Sequence, residues 1–243
     1  MDLLKFAYYN KKVVLRGVPL SELLPFAAAL WHFKNPLGDM FSGQGTAITP
    51  WSDGSDSLEN AERALRVFYY MCYLLGIDYW CWHDLDLVPF GESMEEFHEN
   101  IDEMLPVIKE LTELSGIKVG WTTQNLFSHP KYTEGAATNP DLGTFRMAWA
   151  QTKKMLDVAK WLQDNGCGAT HHTFWGGREG YSLLLATLVG KEKRQLAAFL
   201  WLAVRYAANI GVLRFNFKSN PSQWNRRPTN NDRKCRNSAR LPS

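Results

Sequence analysis

Apolar residues recur at helical spacing in long stretches of this chain, with short apolar runs between them. Leu58, Ala61, Leu65, Phe68, Cys72 and Leu75 mark one face of a helix that begins after Asp56 and stops at Gly76. Phe97, Ile101, Leu105, Ile108 and Leu111 mark a second helix, which Gly116 ends. Ser93 and Glu96 form the pattern of a capping box at its start. Pro106, inside this pattern, predicts a kink. A third helix is predicted over 141–164 and a fourth over 191–210, before Gly211. The intervening runs are Phe26–His32, Asp78–His83, Lys118–Thr122 and Thr173–Trp175. Short apolar runs bounded by turn signals suit strands buried on both faces of a parallel sheet. The first is ambiguous, because its alanines also suit a helix.

Repeated strand–loop–helix units predict a parallel sheet with helices outside. One unit takes roughly 40–50 residues here, and a complete (β/α)8 barrel at that rate exceeds this chain. The expected fold is therefore α/β, of the TIM barrel type, with about the first four βα units present as a partial barrel. Residues 1–213 form that part. From Arg214 onward the periodicity is gone, and the stretch is rich in Arg, Asn, Ser and Pro. It carries eight Lys or Arg and one Asp, whereas the whole chain is +2, so the body is mildly acidic. Composition predicts that residues 214–243 are disordered. A nucleic-acid-binding arm is the alternative, and nothing else in the chain supports it.

The remaining bulk features exclude more than they assign. The first ten residues lack the apolar core and small-residue cleavage site of a signal peptide. There is no apolar run of about 18 residues, so no membrane span is expected. Cys72, Cys81, Cys167 and Cys235 show no C-x-x-C spacing and read as free thiols in a cytoplasmic protein.

In a parallel barrel, working residues sit at the C-terminal ends of strands. Those ends hold Trp31 and His32, then His83, Asp84 and Asp86, then Thr123, Asn125 and Phe127, then Trp175. Flat apolar rings beside polar tips suit a polyol, with aromatic core packing as the alternative. In His83-x-x-Asp86, the carboxylate can fix the imidazole tautomer and leave the other nitrogen to exchange protons with a substrate oxygen. A structural histidine is the alternative. His171 and His172 point to opposite faces of a strand, so at most one enters the site. His98 and His129 are expected to face solvent.

From about Phe6 to Gly211 the chain resembles xylose isomerase of the longer class. The resemblance rests on YYN at 8–10, WH at Trp31–His32, DMF at 39–41 and HDLD at His83–Asp86. It continues in NLFSHPKY at Asn125–Tyr132, GAATNPD at Gly135–Asp141 and FWGGREGY at 174–181. It implies a (β/α)8 barrel, a homotetramer, and interconversion of D-xylose and D-xylulose by a metal-assisted hydride shift. Two divalent cations, Mg, Mn or Co, polarise the sugar oxygens in that reaction. By this resemblance His83 assists ring opening and Asp86 orients it. Trp31 and Trp175 wall the sugar, Thr123 and Phe127 line the pocket, and Phe41 reaches a neighbouring subunit's site. No metal ligand carries over to this chain. Partners would be an aldose and further copies of the chain, without nucleic acid or membrane.

The chain departs from the family's pattern at Leu85, where Arg is usual, and at Val88–Gly91 and Trp121–Phe127. The fifth strand of the family reads roughly QFLIEPKPxEPTxHQ and supplies a glutamate metal ligand. Regrouping the tail's codons by one base from Phe215 permits QFQIEPKPMEPTTHQ, which points to a frameshifted tail. A chain without those ligands is expected to be inactive. A sugar-binding relic, or another divalent-metal-dependent TIM-barrel enzyme, is the alternative.

Overall fold

The computed structural model describes residues 9–34, 49–175, 189–212 and 214–218. Phe41, the glycine-rich loop after Trp175 and residues 219–243 therefore lie outside the described residues. A small antiparallel hairpin comes first, β1 (Val14–Leu15) with β2 (Val18–Pro19), followed by the short helix α1 (Leu20–Leu23).

The main sheet has five parallel strands in the order β3-β4-β5-β6-β7. They are β3 (Ala27–Ala29), β4 (Tyr79–His83), β5 (Lys118–Thr123), β6 (Gly168–Trp175) and β7 (Phe215–Lys218). Each new strand adds to the same edge after a helical crossover, as in a barrel under construction. The crossover helices are α3 (Leu58–Leu75), α5 (Met94–Ser115), α6 (Leu142–Asp164) and α7 (Val189–Ile210). Among the described residues β3 and β7 each pair on one side only, so the barrel is partial and its sheet is open.

Two expectations need correction. The predicted strand over 26–32 shortens to Ala27–Ala29, and Leu30–Lys34 coil into helix α2. Trp31 and His32 therefore stand on a helical turn above the sheet, as the helix propensity of this alanine-rich run allows. The stretch from Arg214 does not begin as disorder. Phe215–Lys218 form a fifth strand, and the Arg214 carbonyl accepts from His172 N at 2.9 Å. The Phe215 ring packs 5.8 Å from that of His172, which gives this segment an anchor that composition alone hides.

The helix ends follow local chemistry. Ser57, rather than Asp56, caps α3, and its Oγ accepts from Asn60 N at 3.2 Å. Gly76 closes α3 in the left-handed region at φ 67°, where a side chain would be strained. Ser93 caps α5, but the Glu96 carboxylate reaches Glu92 N, one residue upstream of the expected reciprocal bond. The helix runs on through Pro106, which lies on the exposed face where water can meet the orphaned carbonyl.

The two faces of the sheet differ. Trp80, Trp82 and Val119 point towards α3, α5 and α6 and are fully buried in the main core. Phe174 does the same against Phe199 of α7. The alternate positions, Cys81, His83, Trp121, Thr123, His171 and Trp175, share the opposite, inward face. A register shift at Gly120 keeps Val119 on the helix side and Trp121 on the inner side.

Candidate functional site

β4 carries the chain to His83, whose side chain is almost completely buried. The next residue opens a short helix, α4 (Asp84–Leu87), with His83 as its N-cap. Asp86 lies in its first turn, and one oxygen, Oδ2, does two jobs. It accepts from His83 N at 2.9 Å and meets His83 Nδ1 at 2.8 Å. With Asp86 ionised, Nδ1 carries the proton and Nε2 presents a lone pair. Among the described residues no hydrogen bond reaches Nε2.

Rings enclose this histidine. Trp31 lies 4.8 Å from it, Phe127 5.6 Å and Trp175 5.9 Å, centroid to centroid. Phe127 and Trp175 meet edge to face at 4.9 Å. Trp121 continues the wall 5.9 Å from Trp31. Thr123 pairs with His83 in register, so their side chains stand side by side on the inner face. The Thr123 hydroxyl and the Trp31 indole N–H are buried and find no hydrogen-bond partner among the described residues. Unused donors beside an apolar wall suit a ligand that brings its own hydroxyls.

A buried network sets these walls. Asp84 is wholly buried, and its Oδ1 accepts from Asn125 N at 2.7 Å and Leu85 N at 2.9 Å. Its Oδ2 accepts from Gln151 Nε2 at 2.6 Å. Tyr132 donates to Gln151 Oε1 at 2.8 Å. Burial pushes the Asp84 carboxyl up to about 6, against the lowering effect of those donors. Asn125 Oδ1 then accepts from Phe127 N and Ser128 N, which folds the turn that aims Phe127 at His83.

The structure thus brings Trp31, His83, Asp86, Thr123, Phe127 and Trp175 together. The network behind them was missed by sequence reasoning, although it left a signal. Gln151 interrupts the apolar stripe of α6, where a polar residue has to find a partner. His171 and His172 split across the strand as expected. His172 is wholly buried on the helix side with Nδ1 3.0 Å from Thr122 Oγ1, and burial lowers it to about 3. His98 and His129 are half-buried rather than solvent-facing, and His129 caps the turn at Pro130–Tyr132.

Cys72, Cys81 and Cys167 are free and buried. No helix among the described residues is long and apolar enough to cross a membrane. Among the described residues no three His, Cys, Asp or Glu side chains converge as a metal site. The residues described do not fit the cation pair that the resemblance implies.

No family model matches the chain. Curated relatives do. It is 43% identical over 206 residues to a xylose isomerase of Caldicellulosiruptor bescii, covering 85% of this chain and 46% of that protein. It is 42% identical over 209 residues to the xylose isomerase of Thermotoga maritima, covering 86% and 46%. With the xylose isomerase of Arabidopsis thaliana it shares 40% over 209 residues, covering 86% and 43%. The chain therefore spans less than half the length of the curated relatives it matches. A D-allulose 3-epimerase from Methylomonas sp. superposes with a TM-score of 0.45 at 15% identity, covering 80% of this chain and 50% of that one.

Proposed function

We propose that this chain is the N-terminal half of a xylose isomerase-type aldose–ketose isomerase, and that the cleft around His83 receives D-xylose. The observation that carries this reading is the pinned imidazole inside an aromatic wall. Asp86 holds Nδ1, so that Nε2 faces the cleft ringed by Trp31, Phe127 and Trp175.

Sugar C–H groups pack on the ring faces, while Thr123 Oγ1 and Trp31 Nε1 meet sugar hydroxyls. His83 then serves ring opening. Nε2 takes the proton of the 1-hydroxyl as that oxygen becomes the aldehyde carbonyl and the C1–O bond to the ring oxygen breaks, and the same proton passes from Nε2 to the ring oxygen, which leaves the imidazole neutral again. Phe41 completes the wall from a neighbouring subunit of a homotetramer.

On this reading the described residues serve binding and ring opening, and the hydride transfer that makes the ketose needs groups beyond them. In this family the transfer belongs to two divalent cations. A polypeptide of these 243 residues alone is therefore expected to bind D-xylose and speed its mutarotation in EDTA, yet form no D-xylulose with Mg²⁺. Polarimetry and a ketose assay check both halves. Production of ketose would end the half-site reading, and absence of binding would end the sugar reading. Preference for a phosphorylated sugar would favour another barrel enzyme. A second reading, a sugar-binding relic, predicts affinity without faster mutarotation.

We read the basic stretch at 214–243 as the product of a one-base frame shift. The nucleotide sequence across these codons tests it: stop codons immediately in the shifted frame would end the idea.

A further inference from the structure

Helix α2 is short, and its two faces have different neighbours. Leu30 is buried in the main core, and Phe33, three residues on, stacks on Trp51 at 4.9 Å and meets Phe68 of α3 at 5.4 Å. Trp31 stands on the next face, with its ring 4.8 Å from that of His83. Lys34 comes three residues after Trp31, so it continues that face by one turn. α2 packs against α4, which carries Asp86. The His83–Asp86 pair is thus followed along α2 by a ring and then by a cation.

Lys34 also borders a cavity of about 410 Å³, whose lining includes Trp51, Asp56, Ser57, Asn60 and Pro89. Lys34 is the one cation among the described residues that line it, and it keeps contact with solvent there. Desolvation by the protein around it lowers its amine from the usual lysine range, and the charges of Asp86 and then Asp56 work against that.

Asp86 has an oxygen to spare. Oδ2 takes both bonds from His83, and among the described residues no hydrogen bond reaches Oδ1. The side chain is only 14% exposed, so water meets little of it. Its other neighbours bring no positive charge to it. Cys81, beneath His83 on β4, is a buried thiol that burial and then Asp86 push up to about 12. α5 meets this end of α4 with Phe97, stacked on Phe90, and with Asn100, which donates to the Pro89 carbonyl at 3.2 Å. A carboxylate held through one oxygen can swing about its Cβ–Cγ bond, and a cation on the side of the other oxygen opposes that swing.

We propose that Lys34 is a positioning residue for proton transfer at His83: its ammonium, facing Asp86 from α2, keeps Oδ2 on the imidazole and Nε2 on the cleft. The proposal rests on the functional reading above for the reaction that His83 serves. The competing role is at the start of α3, where Lys34 would serve Asp56 and leave His83 untouched.

The test uses the 243-residue chain with ¹⁵N-labelled histidine. In the unaltered chain the His83 Nδ1–H, bonded to Asp86, should give a low-field proton signal protected from water. Lys34→Met should speed its exchange by about fivefold or more, because the hydrogen bond opens more often. The same variant should lower the acceleration of mutarotation about tenfold, with D-xylose affinity kept within about twofold. Lys34→Arg, which keeps the charge, should restore both. In a chain that speeds mutarotation, failure of either readout, no rescue by arginine, or affinity falling in step with rate would overturn the proposal. Lys34→Gln decides should the methionine variant unfold, and unfolding of both would assign Lys34 to the fold and overturn it. A chain that shows the effect of Lys34 on the imidazole signal without speeding mutarotation sustains the positioning of His83 and ends the isomerase reading, so the two failures are distinguishable.

Discussion

Asp84 Oδ2 accepts a hydrogen bond from Gln151 Nε2 at 2.6 Å, across 67 residues of sequence, and this bond ties the end of β4 to the middle of α6. The same amide nitrogen reaches the carbonyl of Asn125 at 3.0 Å, so one side chain fixes both turns that carry His83 and Phe127. Gln151→Leu leaves a buried carboxylate with one donor fewer. The expected loss is about 1–3 kcal/mol of stability at neutral pH, measured by urea unfolding. Sugar affinity should fall with it, because Phe127 loses its anchor.

Asp84 and His172 give the chain opposed pH dependences. The folded Asp84 carboxyl sits at about 6 against 3.8 for an ordinary Asp, so it holds its proton more tightly folded than unfolded. Its contribution is full below about pH 3.8 and is lost as pH rises through 6. His172 is the reverse, lowered by burial from 6.5 to about 3. Its contribution is full above 6.5 and is lost as pH falls towards 3. Between pH 4 and 6 the two slopes offset each other in the unaltered protein. His172→Gln should therefore leave stability rising as pH falls through that window, and Asp84→Asn should leave it falling. Urea midpoints at pH 4, 5, 6 and 7 distinguish these outcomes.

The fold was legible where periodicity was long and the site where chemistry was local. α3, α5 and α6 announce themselves through their apolar stripes and glycine stops, and the HDLD pattern places His83 and Asp86 at one strand end. What the sequence hid was non-local. Ala27–Leu30 can extend or coil, and only pairing with β4 decides that three residues stay in the sheet. Gln151 shows as a polar break in a stripe, but its partner lies on another strand. Phe215–Lys218 sits in a basic, periodicity-free stretch, and the neighbouring strand β6 supplies the pairing that composition argues against.

β7 carries a direct test of that last point. His172 N donates to the Arg214 carbonyl, and the pairing continues to Trp175 with Lys218. Amides in Phe215–Lys218 should exchange at least tenfold more slowly than those of an unstructured peptide of the same sequence. Asn216→Pro removes an N–H from the segment and should erase that protection while β4 and β5 keep theirs. Equal exchange in chain and peptide would show that the strand does not persist in solution.

Trp175 and Asp86 should separate affinity from proton transfer. Trp175 meets Phe127 at 4.9 Å and His83 at 5.9 Å, so its ring belongs to the aromatic wall around the histidine. If the proposed sugar site is right, Trp175→Ala removes an apolar contact with the sugar, and a single ring contact contributes about 0.5–1.5 kcal/mol. Calorimetry should show D-xylose affinity falling about two- to tenfold. Asp86 has no place in that wall. Its oxygen holds both the amide and the imidazole of His83, so Asp86→Ala frees the ring to rotate and to change tautomer. Affinity should then stay within about twofold, while the acceleration of mutarotation falls by about a hundredfold, the lower range for a positioned proton-transfer group. A variant that loses affinity and acceleration in equal measure would place Asp86 in the packing of the cleft and leave His83 without its orienting partner.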